Sequence, residues 1–401
     1  MTCKDDGNRP ASREAIAKAG TLVVKVGSSL LASLRGGLDT AFIARLVGQF
    51  ANLAEKGKRL VLVSSGAVAA GTAELGLPAR PIELSRVQAA AAVGQVALMQ
   101  TYRQLFQCYR LKVGQVLLTR DNLQDRRRFL YARNTLLAIM EEGAVPIVNE
   151  NDAVAVEELR LKMGDNDSLA VSAAQLVDAD AVILLSDVEG LYDRSPTQPG
   201  ARLIPEVREF SKGVLAMAGG PESGLGSGGM ASKVNAARAA AAANIPLIVV
   251  DGRREDILLE IARGRQVGTI FLPSGRRASS YRQWLAYGRS LDGALLVDAG
   301  ARLAIVEKKK SLLPIGIREV RGNFREGDSV AIADLEGREF ARGLANFSSD
   351  ELRLAAGRRS GEIPEILGHL CVNTAVHRDN LLVFGPGGAG DGEDAAAGLK
   401  P

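Results

Sequence analysis

A chain of 401 residues is long enough for two or three domains, and a 46% hydrophobic share supplies real cores. Only 4% of residues are aromatic, so those cores are aliphatic and rich in alanine, and no run of about 18 apolar residues offers a membrane span. The net charge of +4 sits in residues 273–290, where Arg276, Arg277, Arg282 and Arg289 meet no acid, so the basic balance is no signature of a nucleic-acid-binding domain.

The first ten residues are polar and lack the apolar stretch of a signal peptide. Cys3, Cys108 and Cys371 are far apart and odd in number, which fits a reducing, cytoplasmic setting and no disulfide framework. His369 and His377 are the only histidines. The first 368 residues therefore cannot form a Ser-His-Asp or Cys-His pair, nor a histidine-ligated metal site. Chemistry there must rest on Lys, Asp, Asn, Ser, Arg and backbone amides.

Met1 to Gly20 reads as a loose arm. Leu22-Val23-Val24-Lys25-Val26 then predicts a buried first strand, ending in the small-residue turn Gly27-Ser28-Ser29. A lysine between apolar neighbours needs an anionic partner if it is buried, and a polyphosphate is one. An edge lysine facing solvent is the plain alternative. Asp39-Thr40 can cap a helix to about Lys56, with Ile43, Leu46, Val47, Phe50 and Leu53 as its apolar stripe and Gly57 as its stop. Leu60 to Ser64 predicts a second strand, running through Ser65-Gly66 into helix-like Ala67 to Ala70. A long alanine-rich helix follows from about Leu84 to Tyr109, then a strand at Val113–Leu118 and a helix at Arg126–Glu142. Val145 to Val148 predicts a strand ending in Asn149-Glu150-Asn151-Asp152.

Val154 to Lys162 reads as a hairpin, and Gly164-Asp165-Asn166-Asp167 opens a helix to about Val177. Ala181 to Leu185 predicts a strand ending in Ser186-Asp187. Residues 219–229 are glycine-rich and open an alanine-rich helix to about Ala243, before a strand at Pro246–Val250. Strands alternating with helices predict a mostly parallel sheet covered on both faces, with binding residues at the C-terminal strand ends. After Arg289 the texture changes. Short β-like runs at Ala294–Val297, Leu303–Val306 and Ser329–Ile332 surround one helical pattern near Leu352, which predicts a small β-rich domain. Residues 385–401 are Gly/Ala-rich with mixed charge and read as disordered.

Two stretches carry most of the chemistry. Gly224-Leu225-Gly226-Ser227-Gly228-Gly229-Met230-Ala231-Ser232-Lys233 can turn its amides, a helix start and Lys233 toward a phosphate. The G-x-G-x-x-G within it is a dinucleotide-fold decoy, because no strand precedes it. Gly164-Asp165-Asn166-Asp167 sets two carboxylates and an amide at a helix start. N-capping explains one of those residues but not all three. Asn149-Glu150-Asn151-Asp152 poses the same question at a strand end, where a turn is the bland reading. Together these stretches point to phosphate handling by lysines and a zwitterionic small substrate.

VVKVGSS, SSGAVAAG, VNENDAVAVEEL, GDNDSLA and GLGSGGMASK, in this order and spacing, resemble the glutamate-phosphorylating branch of the amino-acid kinase family. SLLPIGI, GNF, LEGRE and AVHRD resemble an appended PUA domain. The likeness covers roughly residues 21–380. Ser28, Ser64 and Ser186 stand where threonine is commoner, and each keeps the hydroxyl. The resemblance implies an amino-acid kinase fold at 21–272 and a small β-rich PUA barrel at 291–384. An arm at 1–20, a basic linker at 273–290 and a tail at 385–401 lie outside both.

It also implies transfer of the γ-phosphoryl group of ATP, accompanied by Mg2+, to the side-chain carboxylate of L-glutamate. Lys25 and Lys233 would hold the phosphates and Asp167 would orient both lysines. Ser65, Asp152 and Asn166 would bind glutamate. Lys25, Ser186, Asp187, Ser227, Gly228, Gly229, Met230, Ala231, Ser232 and Lys233 would line ATP. No dedicated metal cage is expected. Feedback by proline and a homo-oligomer follow from the family. RNA binding by the PUA domain is not expected, because residues 292–384 hold 13 Lys/Arg against 14 Asp/Glu. The rival class is a binding protein with an inactive kinase fold, and the intact Lys25, Asp167 and Lys233 argue against it.

Overall fold

Thr21 to Val26 forms β1, and every residue in it is buried, Lys25 included. The computed structural model describes residues 13–33, 36–119, 123, 126–154, 166–219, 229–273, 291, 293–369 and 372–384. The expected hairpin at 154–162 beyond its first residue, most of the 273–290 linker and the 385–401 tail fall outside those residues. The chain divides into two compact units, 1–280 and 281–401.

In the first unit β1 is followed by β2 (Arg59–Ser64), β3 (Lys112–Leu118), β4 (Ala144–Glu150), β5 (Ala181–Ser186), β6 (Glu206–Val207), β7 (Leu247–Asp251) and β8 (Thr269–Phe271). They make one sheet in the order β3-β4-β2-β1-β5-β7-β8-β6. All neighbours are parallel except β7 and β8. β1 is central, pairing Lys25 with Val63 on one side and Leu184 on the other. The order reverses around β1 and β5, so the C-terminal ends of these two strands border the crevice that such a reversal opens.

Strand alternation assigns the side chains to two cores. Leu22, Val24 and Val26 face one core with helices Thr40–Glu55, Leu84–Cys108 and Ile257–Ala262. Val23 faces the other, with helices Arg126–Glu141, Asn166–Leu176 and Met230–Ala242. Lys25, two residues on from Val23, shares that second face. Helix Thr40–Glu55 starts where its sequence predicts, with the Asp39 carboxylate accepting from the Phe42 N–H at 2.9 Å.

Three features differ from the sequence reading. Part of the expected loose arm is a short helix, Arg13–Ala17, with Ile16 buried. Arg13 donates to the Val267, Pro205 and Gly268 carbonyls, and the Lys58 ammonium donates to the Ala17 and Ala19 carbonyls. The short strands β6 and β8 extend the sheet beyond β7. In the second unit Leu303–Val306 is not a strand but the end of helix Ala299–Val306. The Asp298 carboxylate caps it by accepting from the Ala301 N–H at 2.8 Å.

The second unit holds a five-stranded sheet: β9 (Gly293–Val297), β10 (Ile317–Gly322), β11 (Ser329–Ala333), β12 (Glu339–Leu344) and β13 (Leu381–Val383), in the order β10-β9-β11-β12-β13. The β9–β11 pair is parallel and the others are antiparallel. Its core is separate, built on Leu295, Ile332, Phe340 and Phe347 among others. The helix near Leu352 is present as Ser349–Ala355, opened by a Ser348/Glu351 capping box.

Helix Ala67–Glu74 crosses helix Leu84–Cys108 with backbones in contact. A Cβ on Gly94 would lie 1.9 Å from the Ala67 carbonyl oxygen, and one on Gly71 would lie 1.7 Å from that of Ala90. Helix propensity alone favours Gly94→Ala by about 1 kcal/mol. The crossing reverses the sign, and the expected loss is about 3 kcal/mol. Urea denaturation checks it: an unchanged or higher midpoint would mean that the two helices do not approach this closely.

Candidate active site

Four strand ends and two helix starts meet at the crevice. Lys25 is the penultimate residue of β1, and the alternation that buries Val23 aims it at helix Asn166–Leu176. The Lys25 ammonium stands 2.6 Å from Asp167 Oδ1. Lys233, in the first turn of helix Met230–Ala242, stands 3.4 Å from Asp167 Oδ2, and Ser232 Oγ donates to the same oxygen at 3.2 Å. All three charged residues are buried, with Asp167 only 1% exposed. The buried sides of the two helices are rich in alanine, Ala170, Ala173 and Ala174 on one and Ala236, Ala237 and Ala240 on the other, and such small side chains allow close packing.

The electrostatics are lopsided. Burial alone would push the Asp167 carboxyl up, but Lys25 and then Lys233 hold it below the ordinary carboxylate range. One carboxylate shared by two ammonium groups leaves a positive charge in excess. Both helices also point their N-termini here, so the cluster suits a further anion.

Beside it lies an amide network. Asn166 Nδ2 donates to the Ser64 carbonyl at 2.9 Å, to Ser65 Oγ at 2.8 Å and to Asn149 Oδ1 at 3.2 Å. Asn149 Nδ2 in turn donates to Gln95 Oε1 at 2.8 Å. Ser64 Oγ bonds to the buried Tyr102 hydroxyl at 2.9 Å. Asn166 Oδ1 is buried without a hydrogen-bond partner among the described residues. A buried acceptor left bare is costly, and a ligand N–H is one donor that would satisfy it. Asp152 lies two residues past the end of β4. Burial pushes its carboxyl up to about 6, against the opposing pull of Arg80.

Ser186 and Asp187 follow at the end of β5, where Ser186 Oγ donates to Asp187 Oδ1 at 3.1 Å. Gly229 is the extended N-cap of helix Met230–Ala242, which brings Met230, Ala231 and Ser232 to the same helix start. Ser227, Gly228, Gly164 and Asp165 fall outside the described residues.

The crevice thus brings together Lys25, Asp167, Ser232 and Lys233, and separately Ser65 with Asn166. Sequence reasoning assigned no role to Asn149, though it stands in the Asn149–Asp152 run. Gln95, Tyr102 and Arg80 carried no local signal. Arg133 was missed as well. It is 1% exposed, and it donates to the Leu176 carbonyl at the C-terminus of helix Asn166–Leu176. A cation at that end complements the dipole of the helix that presents Asp167.

The sequence profile of the amino acid kinase family matches residues 20–251, and that of the PUA domain matches residues 293–367. Glutamate 5-kinase of Syntrophotalea carbinolica is 45% identical over 372 residues, covering 92% of this chain and 99% of that one. The enzymes of that name from Moorella thermoacetica and Myxococcus xanthus are each 46% identical, over 93% of this chain and 98% of theirs. Among solved structures, UMP kinase of Bacillus anthracis aligns with a TM-score of 0.44 at 13% identity, over 65% of this chain and 98% of that one. The family match spans the strands and helices that bear Lys25, Asp167 and Lys233, and the full-length relatives carry it through the second unit: the chain belongs to the amino acid kinase family, among its glutamate 5-kinases.

Proposed function

We propose that the chain transfers the γ-phosphoryl group of ATP to the side-chain carboxylate of L-glutamate, giving L-glutamyl 5-phosphate for proline synthesis. The observation that carries this reading is the buried Lys25–Asp167–Lys233 cluster with its excess positive charge. A carboxylate nucleophile with pKa about 4.3 is already ionised at neutral pH, so no general base is required. A carboxylate oxygen attacks the γ-phosphorus, and the bond to the β,γ-bridging oxygen breaks as ADP leaves. The work left to the protein is alignment of two anions and neutralisation of the charge between them. Lys25 and Lys233 supply that charge, and Asp167 fixes their spacing. Mg2+ enters with ATP as part of the substrate.

On the acceptor side, the hydrogen-bonded Ser65 and Asn166 support a glutamate site in this reading, and the bare Asn166 Oδ1 suits an N–H donor. The glutamate ammonium supplies one, with Asp152 as its counter-charge. Ser186, Asp187 and the 227–233 stretch line the nucleotide in this reading. Among the described residues no helix is long and apolar enough to cross a membrane. We place the reaction in the cytoplasm, where ATP and glutamate are available.

Lys25→Ala and Lys233→Ala should each lower kcat by about 10²–10³ while the fold survives. Turnover with ATP and glutamate, read as acyl phosphate trapped by hydroxylamine, tests both. Near wild-type kcat in either variant removes that lysine from the mechanism, and no product at all with glutamate would instead favour the binding-protein reading.

Asp152→Asn should raise KM for glutamate by about tenfold or more and leave KM for ATP nearly unchanged, because one charge-assisted hydrogen bond is lost. The raised carboxyl adds a pH test. Protonated Asp152 cannot pair with an ammonium, so KM for glutamate should climb as pH falls through about 6, and Asp152→Asn should flatten that rise. Proline, which also carries a cationic amine and a carboxylate, should compete with glutamate at this position. Inhibition that saturating glutamate does not relieve would place proline elsewhere.

The second unit holds none of these residues. A chain ending near residue 290 should still phosphorylate glutamate, and the full chain should bind RNA more weakly than micromolar at about 150 mM salt. Sub-micromolar binding in an anisotropy titration, with a steep salt slope and lost in the chain ending near residue 290, would assign the PUA unit to RNA.

A further inference from the structure

A cavity of about 340 Å³ lies on the sheet face opposite the lysine cluster, between helix Thr40–Glu55 and the 252–257 segment after β7. That volume is at the low end for small-molecule sites and too small for a nucleotide. Gly48 of helix Thr40–Glu55 is part of this wall.

The lining offers both charges and an apolar floor. Leu46, Leu185 and Ile257 form the floor. Arg45 lies 5.9 Å over the Phe42 ring and forms no ion pair among the described residues. Glu255 and Asp256 on the opposite wall likewise have none, whereas Arg254 is engaged by Glu260 at 2.9 Å. Asn52 also lines the cavity, and its Oδ1 is buried with no hydrogen-bond partner among the described residues. The cavity therefore calls for one carboxylate, one charged N–H donor and a compact apolar body.

Its floor is joined to the catalytic strand ends. The Leu185 carbonyl accepts from the Gly27 N–H at 3.3 Å, just after Lys25. Gly252 N–H donates to the Ser186 carbonyl at 2.8 Å, and Arg253 Nη2 donates to the Asp187 carbonyl at 3.2 Å. Gly252 is pressed so tightly that a Cβ there would lie 2.6 Å from Leu30 Cδ1. A ligand that orders the 252–256 segment thus acts on the backbone that presents Ser186 and Asp187.

We propose that this cavity is an effector site for a free α-amino acid with a small aliphatic side chain, and that its occupancy is felt at the nucleotide end of β5. The kinetic half rests on the ATP-dependent activity proposed above, while the binding half does not.

The test titrates L-valine and L-isoleucine by calorimetry into the full chain with glutamate saturating. Isobutylamine, which is valine without the carboxylate, and isovalerate, which is valine without the amine, serve as controls. At least one amino acid should bind, with both controls weaker by about tenfold or more. Arg45→Ala and Asn52→Leu should each weaken binding by a similar factor. Asn52→Leu should not lower the thermal midpoint, since the acceptor it removes has no partner. In turnover assays the bound amino acid should shift KM for ATP by about fivefold or more, and not in Asn52→Leu. No binding by either amino acid, binding equal to that of isobutylamine, or binding untouched by both variants overturns the site. Binding without a KM shift overturns its effector role, and a chain without kinase turnover still leaves calorimetry to decide the site.

Discussion

A single buried carboxylate, that of Asp167, stands between two buried lysines. Lys25 sits in the central strand of an eight-stranded sheet, and Lys233 is 5% exposed. Leaving either ammonium bare at that depth would cost several kcal/mol. Asp167 makes both positions possible, and it can do so only if helices Asn166–Leu176 and Met230–Ala242 bring their first turns together. Their alanine faces follow from this need: larger side chains would hold the helices apart and break the 3.4 Å contact. Arg133 belongs to the same constraint, because it anchors the far end of the helix that presents Asp167.

Much of this was legible in the sequence, because it is local. The Asp39 cap, the 43/46/47/50/53 stripe and the strand runs are signals of period and capping, and they survive in the fold within a residue or two. Burial of Lys25 was only half legible. The residues around it allowed a buried lysine or an edge lysine, and the choice depends on where β1 sits in the sheet. That place is set by crossovers, which local pattern does not order. Leu303–Val306 was misread for a related reason: four apolar residues in a row have no period, and the deciding signal was Asp298, five residues upstream.

The amide network was the least legible part of the site. Gln95 stands in mid-helix among alanines, where spacing gives it no distinction, yet it orients Asn149 across 54 positions of sequence. Tyr102 is equally plain in sequence and supports Ser64 from the same helix. Gly71 and Gly94 let that helix come close enough to do both. Glycines in helices read as weak points on propensity alone. Here they are what bring Gln95 and Tyr102 to the ends of β2 and β4.

The placement of charge then explains why a site without histidine suffices. A helix N-terminus disfavours a cation, so Lys233 in a first turn works against its own helix dipole. Asp167 at the next helix start is favoured by dipole and lysines alike. Around the two lysines the helix dipoles add to an excess positive charge, and the carboxylate between them, Asp167, is already shared. Such a pocket suits an anion spanning both lysines, as the proposed phosphate-binding role requires. A polyphosphate meets that need, and the charge that develops during phosphoryl transfer appears where the positive potential is already in place. Because the acceptor is itself an anion, the same field that binds the donor also lowers the repulsion between the two. Proton transfer would add nothing, and the residues at the crevice are correspondingly ones that hold charge and position.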